Sequence, residues 1–488
     1  MEVKARLSLT LRSSYLSQEI NMLSVSYIAA TAAMLAAAGY LIFRSKLFLT
    51  TTTMLIGSLL LIYGPTFLTF TLSSGEPQFL IHKLLNSPGA PHPIFSIIRK
   101  EIPDLDPVIT AMNFSVAIMY VGIIAGIEIV DRLMPKRIAK MRVAVTNWNA
   151  QTLQDDTGGR GILLIVILAL LLLMSFFSIE ENQISTIRHF LSITSDDNSA
   201  RNAFRLHFAA SPTYLYRVIL TAVAPMFVVW ALLAGGISKS WPLLLGGTLL
   251  FIVTFIGKAD VLSKAPPAFF LVQLMLAVLL TFTNRLTLRS TLVLVCAITL
   301  VLYAVTRLVM VFPNGTDVLE VVYTRVFEAT NQSLLENFAT FPLMHPHMWG
   351  ADIRPLAMMM GVPFLPAYSI VAHTWYGNYD VTSPALFIAD AWADFSYAGV
   401  IVSSVTAGAA CRLVDAVFLV RGKTVVAIAV LVAVFYGIFT LLVTALNTAF
   451  FSGGLLLGPI LAGLLVTVAR YQDQRLAGQP TESDVLNE

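Results

Sequence analysis

Residues 424–446 read Thr-Val-Val-Ala-Ile-Ala-Val-Leu-Val-Ala-Val-Phe-Tyr-Gly-Ile-Phe-Thr-Leu-Leu-Val-Thr-Ala-Leu, without one charged side chain. A helix rises ~1.5 Å per residue, so this run covers a hydrocarbon core of ~30 Å with little tilt. Lipid offers the backbone no hydrogen-bond partners, which leaves a helix as the conformation that satisfies itself. The run is continuous rather than alternating, so a membrane strand is excluded.

Runs of the same kind recur outward from it. They lie near 22–43, 47–72, 108–129, 161–178, 217–236, 241–257, 267–283, 290–312, 394–414 and 454–469, giving about eleven spans with 424–446. The composition agrees: 57% of residues are hydrophobic and 12% charged, against roughly 25% charged in soluble proteins. Mean hydropathy is +0.78. The expected fold class is an all-α integral membrane protein. It is a polytopic helical bundle of about 11 transmembrane helices with one large extracytoplasmic loop, and residues 1–488 form a single membrane domain. The first run is too long for the apolar core of a cleavable leader and is followed by Arg44 and Lys46, so it is expected to remain as a span.

The net charge of +3 reflects membrane topology rather than nucleic-acid binding, since basic residues concentrate only in the 130s. Arg132, Lys136, Arg137, Lys140, Arg142 and Arg160 mark 130–160 as cytoplasmic. Counting spans from there puts Arg44–Lys46, Arg285–Arg289, Arg412–Lys423 and the tail 471–488, which reads as disordered, on the same side. The N-terminus, the connection Lys258–Lys264 and the segment 313–393 then lie outside. At about 80 residues that segment breaks the rhythm of the map, and long ordered connections are usually functional. Internal repeats of the kind found in two-half transporters are not evident. Cys296 and Cys411 both sit in apolar runs and suggest neither a disulfide framework nor a metal knuckle.

Soluble catalytic motifs are missing. Gly158-Gly159-Arg160-Gly161 lacks the lysine and strand of a phosphate loop, and His345-Pro346-His347 has no third nearby ligand, so no metal site and no cofactor are expected. The segment 313–393 is richer. Arg325, Arg354 and Arg217 could hold a phosphate through their planar fork. Trp375 and Tyr376 could stack on a sugar or sit at headgroup depth. Asp390, Asp394 or a histidine of the segment could take a proton, and His345 could contact substrate. The pair Asp390 and Asp394 places two carboxylates one turn apart on one helical face, which suits acid–base work and equally suits a helix N-terminus. Tyr323–Phe327 is expected to start an amphipathic helix.

Four stretches resemble the oligosaccharide repeat-unit polymerases, the Wzy-type O-antigen and capsule polymerases. These are Ser211-Pro-Thr-Tyr-Leu-Tyr-Arg217, Lys264-Ala-Pro-Pro-Ala-Phe-Phe, Arg325-Val-Phe, and Asp390-Ala-Trp-Ala-Asp-Phe-Ser-Tyr-Ala-Gly-Val400. The last is similar to the family's pattern of an acid followed by Phe-Gly-Tyr-x-Gly, with Ser396 where the family carries glycine. Phe451-Ser-Gly-Gly-Leu-Leu also fits. The resemblance covers roughly 200–470 and implies a helical bundle in the bacterial inner membrane. Such a protein joins oligosaccharides carried on undecaprenyl pyrophosphate at the outer face, without metal or nucleotide. It further implies that Arg325 contacts pyrophosphate or sugar, with Arg217 and Lys264 as helpers. The expected partners are the lipid-linked oligosaccharide, membrane lipids and, in some systems, a chain-length regulator. A flippase for the same lipid-linked substrate and a ligase-like transferase are the rival readings.

Overall fold

The computed structural model describes residues 22–72, 93–156, 165–173, 214–259, 265–287, scattered positions from 289 to 303, 323–377, 383 and 385–477. Among these the chain is helical, with two isolated backbone bridges, Phe48 to Arg285 and Gln154 to Thr424, and no strand. Among the described residues six helical stretches are long and apolar enough to cross a membrane: Met22–Arg44, Thr51–Leu72, Asp106–Leu133, Tyr216–Ser238, Trp241–Lys258 and Phe387–Arg421. They correspond to six of the expected spans. Three more expected spans are shorter apolar helices, Pro266–Phe282, Val425–Leu441 and Leu457–Thr467. Half of the expected span 161–178 is described, as helix over 165–173, and most of 290–312 falls outside the described residues.

We label the elements α1 (Met22–Arg44), α2 (Thr51–Tyr63), α3 (Pro65–Leu72), α4 (Pro93–Glu101), α5 (Asp106–Leu133), α6 (Pro135–Thr146), α7 (Tyr216–Ser238), α8 (Trp241–Ala259) and α9 (Ala265–Phe282). The second part of the chain holds α10 (Ala329–Thr340), α11 (Arg354–Met360), α12 (Ala367–Tyr376), α13 (Phe387–Phe418), α14 (Val425–Leu441), α15 (Leu446–Phe450) and α16 (Leu457–Ala477). The last helix therefore runs past Arg470 to Ala477, through the first residues of the expected disordered tail; residues 478–488 lie outside the described set.

The centre of the bundle is the pair α5 and α13. A Cβ on Gly126 would collide with the Val405 carbonyl oxygen, and one on Gly408 with that of Ile123. With Gly122 four residues before Gly126, this is the small-residue seam that lets two membrane helices approach backbone to backbone, where dispersion rather than the hydrophobic effect holds them. Helix α14, apolar all round, is buried along most of its length, as expected of a helix at the middle of a bundle.

Polar contacts define two ends. At one, Trp148 Nε1 donates to Leu280 O at 2.9 Å, Leu49 N–H to Asn284 O, and Gln154 N–H to Lys423 O at 3.1 Å. At the other, the Tyr63 hydroxyl donates to Leu442 O at 2.8 Å and that of Thr221 to Ser452 O at 2.7 Å. Most described cations gather at the first end, among them Arg44, the basic residues of α6, Arg285, Arg421 and Lys423. Asp131 on α5 is buried there and receives Arg412 Nε of α13 at 2.5 Å and Arg142 at 2.9 Å. Asp415, fully buried, accepts the backbone N–H of Thr51 at 2.8 Å and the hydroxyls of Thr51 and Thr52 at 2.7 and 2.6 Å. A carboxylate thus caps the start of α2, where free N–H groups and the helix dipole favour negative charge.

Arg142 and Arg44 are about half exposed, whereas Arg412 is buried. Asp131→Leu therefore strands the Arg412 charge away from water and should cost ~3–5 kcal/mol. Asp131→Leu with Arg412→Met should recover most of the loss. Thermal unfolding midpoints in detergent check both; a double variant no better than the single one would show that the pair is not the source of the cost.

Candidate functional site

Helix α13 is broken near its start. Phe395 has φ −132° and ψ 20°, and Ser396 has φ 54° and ψ −144°. Such a break displaces the regular acceptors' partners, and in an apolar setting stray carbonyls are costly. The segment before α11 supplies replacements. Met348 N–H donates to Ala393 O at 2.9 Å and Trp349 N–H to Asp394 O at 3.1 Å. Gly350 N–H donates to the Asp394 carboxylate at 2.9 Å. Asp394 is consequently a buried brace (2% exposed) that holds residues 347–350 against the break.

Asp390, one turn earlier, is placed differently. It lines a cavity with Asn337 of α10, Tyr368 of α12, Ser383, Ala385, and Val443 and Thr444 just past α14. This lining offers an acid, an amide and three hydroxyls, a set suited to the hydroxyls of a sugar. The two carboxylates of the DxxxD pair have different partners, the cavity for Asp390 and the Gly350 N–H for Asp394, which spacing alone does not reveal.

A third acid, Asp352, accepts the Ala367 N–H at 2.9 Å and so ties α11 to α12. Burial pushes its carboxyl up to about 7; the Ala367 N–H opposes this and the neighbouring Asp394 charge adds to it. The segment 323–377, expected as an open connection, is folded against the spans. Helix α10 is buried on nearly every face rather than amphipathic, because α5, α12 and α13 all pack on it. At its middle, Glu336 is fully buried and accepts the Tyr376 hydroxyl at 2.5 Å, Gln332 Nε2 at 2.9 Å and the Ser383 hydroxyl at 2.7 Å. Burial raises its carboxyl above the usual range, with these three donors pulling it back. Burial, reinforced by the Glu336 charge, pushes the Tyr376 phenol upward in turn.

The remaining expected site residues scatter. Trp375 Nε1 donates to Thr340 Oγ1 at 2.9 Å, so Trp375 and Tyr376 fasten α12 to α10 rather than lining the cavity. Arg354 is exposed, with its guanidinium 5.8 Å from the Phe364 ring centre. His345 is exposed beside Phe341, and Arg217 is exposed on α7. The backbone of Arg325 lies in a π-helical turn, Thr324–Glu328, ~18 Å along the helix from the cavity residue Asn337 at 1.5 Å per residue. Its side chain and the whole of Lys264 lie outside the described residues. Glu336 and Asp352 stand among the acids of the segment with nothing in their spacing to single them out. Lys258, at the end of α8, is buried with Nζ 4.9 Å from the Tyr436 ring centre.

Among the described residues no group of three His, Cys, Asp or Glu side chains is arranged to hold a metal. The chain matches no family model, no curated protein and no solved structure. Fold and cavity define a helical, membrane-spanning class of protein with an acid-lined polar pocket at one end of the bundle.

Ser396 holds backbone angles that suit glycine far better than serine, a strain worth ~1–3 kcal/mol. Ser396→Gly should raise the unfolding midpoint and Ser396→Val lower it. Equal midpoints for all three would show that the break is unstrained.

The raised Asp352 carboxyl makes a second expectation. The folded state holds its proton to pH about 7, the unfolded chain only to ~3.9. The stabilisation is complete below the lower value and lost as pH rises to the upper one, by up to ~1.4 kcal/mol per unit. Asp352→Asn keeps an acceptor for the Ala367 N–H and should flatten that slope between pH 4 and 7. Chemical denaturation across this range is the measurement; a variant with the wild-type slope would assign the pH dependence to other groups.

Proposed function

We propose that this protein polymerises oligosaccharide repeat units carried on undecaprenyl pyrophosphate, at the outer face of a bacterial inner membrane. The observation that carries the reading is the Asp390 carboxylate in a hydroxyl-rich cavity at the bundle end away from the cation-rich face. Cations collect on the cytoplasmic side of membrane proteins, which supports an outer position for the cavity. Ser396 adds support: its backbone angles favour glycine, and the polymerases that this stretch resembles carry glycine there.

The chemistry follows from the groups present. An acceptor hydroxyl gives its proton to Asp390 as its oxygen bonds to the anomeric carbon of the donor sugar. The bond from that carbon to the pyrophosphate oxygen breaks, and the departing pyrophosphate keeps the electron pair. A cation must hold that charge; the resemblance gives Arg325 this role with Arg217 and Lys264 as helpers. The pyrophosphate linkage supplies the driving force, so neither nucleotide nor metal is required.

Deleting the gene should replace the ladder of surface glycan by single repeats, and Asp390→Asn should do the same with normal protein levels. Arg325→Lys, which keeps charge but loses the fork, should fall below wild type, and Arg325→Ala further, by about one to two orders of magnitude in rate for a contact of ~1.5–3 kcal/mol. An intact ladder after deletion rejects the proposal. Lipid-linked repeats accumulating on the cytoplasmic side would point to a flippase, and an absence of even single repeats to a ligase-like enzyme. For orientation, with Cys296 and Cys411 replaced, cysteine at exposed Glu101 should react with an impermeant maleimide in intact spheroplasts. Cysteine at exposed Lys136 should react only after lysis.

A further inference from the structure

The connection around α11 is unusual for a segment beside water. Met358, Met359, Met360, Val362, Phe364 and Leu365 are all exposed, Met358 to 75% and Met359 to 82%. Only the inner side of this hairpin is covered, by way of buried Ala357. Its shape is fixed: Val362 N–H donates to Ala357 O at 3.0 Å, Gly361 turns the chain at φ 67°, and Leu365 N–H returns to Ala351 O at 3.3 Å. A fixed apolar surface of this kind needs a partner, since contiguous exposed apolar patches mark interaction or membrane sites.

We propose that residues 354–365 form an interfacial foot whose methionine and phenylalanine side chains sit in the hydrocarbon of the leaflet at the cavity end. Three observations favour lipid over another protein. The foot joins the lipid-facing surface of a spanning helix: Trp349, 67% exposed, meets Phe395 at the α13 break edge to face, and α13 then presents exposed Ile401 and Val402. Its first residue is Arg354, whose guanidinium lies over the Phe364 ring, an arrangement that keeps the charge at phosphate level while the apolar part goes deeper. Exposed Trp349 belongs to the residue type that settles at the membrane boundary. Unbranched methionines adapt to a fluid, disordered neighbour better than rigid side chains do. The foot is braced on Asp394, which holds the break, and on Asp352, which accepts the Ala367 N–H, so the cavity mouth lies near the depth of lipid headgroups. The inference rests on the spanning helices alone and stands whether or not the protein transfers glycosyl groups.

The test uses purified full-length protein in phosphatidylcholine–phosphatidylglycerol vesicles, with Cys296→Ser and Cys411→Ala. Nitroxide labels are placed singly at cysteine substituted for Met359 or Phe364, with Val402 and Glu101 as lipid and water references. Collision rates with oxygen, which concentrates in lipid, and with a water-soluble nickel chelate are compared. The oxygen-to-nickel ratio at both foot positions should match that at 402 and exceed that at 101 several-fold. A ratio like that at 101 would place the foot in water and overturn the proposal. Low collision with both reagents would mean protein covers it and would also overturn the proposal, with dipolar broadening between labels identifying a second copy. Because the two foot positions are exposed, a variant that fails to fold at one leaves the other to decide.

Discussion

The break at Phe395–Ser396 is the constraint from which the cavity end of the structure follows. A helix at membrane depth has no water to accept its displaced partners, so something in the protein must supply them. Residues 348–350 do so through their N–H groups. That fixes the start of the α11 segment against α13. Asp352, two residues on, then takes the Ala367 N–H and positions α12. Helix α12 in turn grips α10 through Trp375 and Tyr376. Each step satisfies a polar group that would otherwise be stranded, and the walls around Asp390 are the result.

The opposite end is held by a different device. Asp131 and Asp415 are buried carboxylates, one inside a set of arginines and the other at the start of α2. Both connect α13, directly or through α5, to the helices around it. The glycine seam between α5 and α13 then brings the two backbones together along the length between these anchors. Removing either partner would leave a charge buried without compensation, which is costly. Among the described residues the segment 323–377 packs at the opposite, cavity end.

Two kinds of acid emerge from this. Asp394 and Asp352 each accept a backbone N–H, Glu336 accepts three side-chain donors, and all three act as joints. Asp390 faces open space among hydroxyl and amide groups. A proton acceptor needs free lone pairs and access for its substrate, and that separates Asp390 from acids of the same type a few residues away.

The sequence by itself determined the solvent. Long uncharged runs such as 424–446 can be satisfied only as helices in lipid, and five expected spans reappear within four residues of their expected bounds, while 394–414 extends to Phe387–Arg421. The clustering of cations near the 130s is likewise local and read directly along the chain. It also carried Asp390 and Asp394 as a pair, since their spacing is a local, one-turn relation. What it could not carry is which of them is free, because that depends on Gly350 reaching Asp394 across 44 residues. The same holds for Glu336, made central by Tyr376 and Ser383, 40 and 47 residues away, and for Trp375 and Tyr376, whose polar atoms turn inward onto α10. Helical periodicity reports which side of a helix is apolar. Only the tertiary structure decided which polar groups meet, because those contacts join segments far apart in the chain and are selected by the need to leave no buried donor or acceptor unpaired.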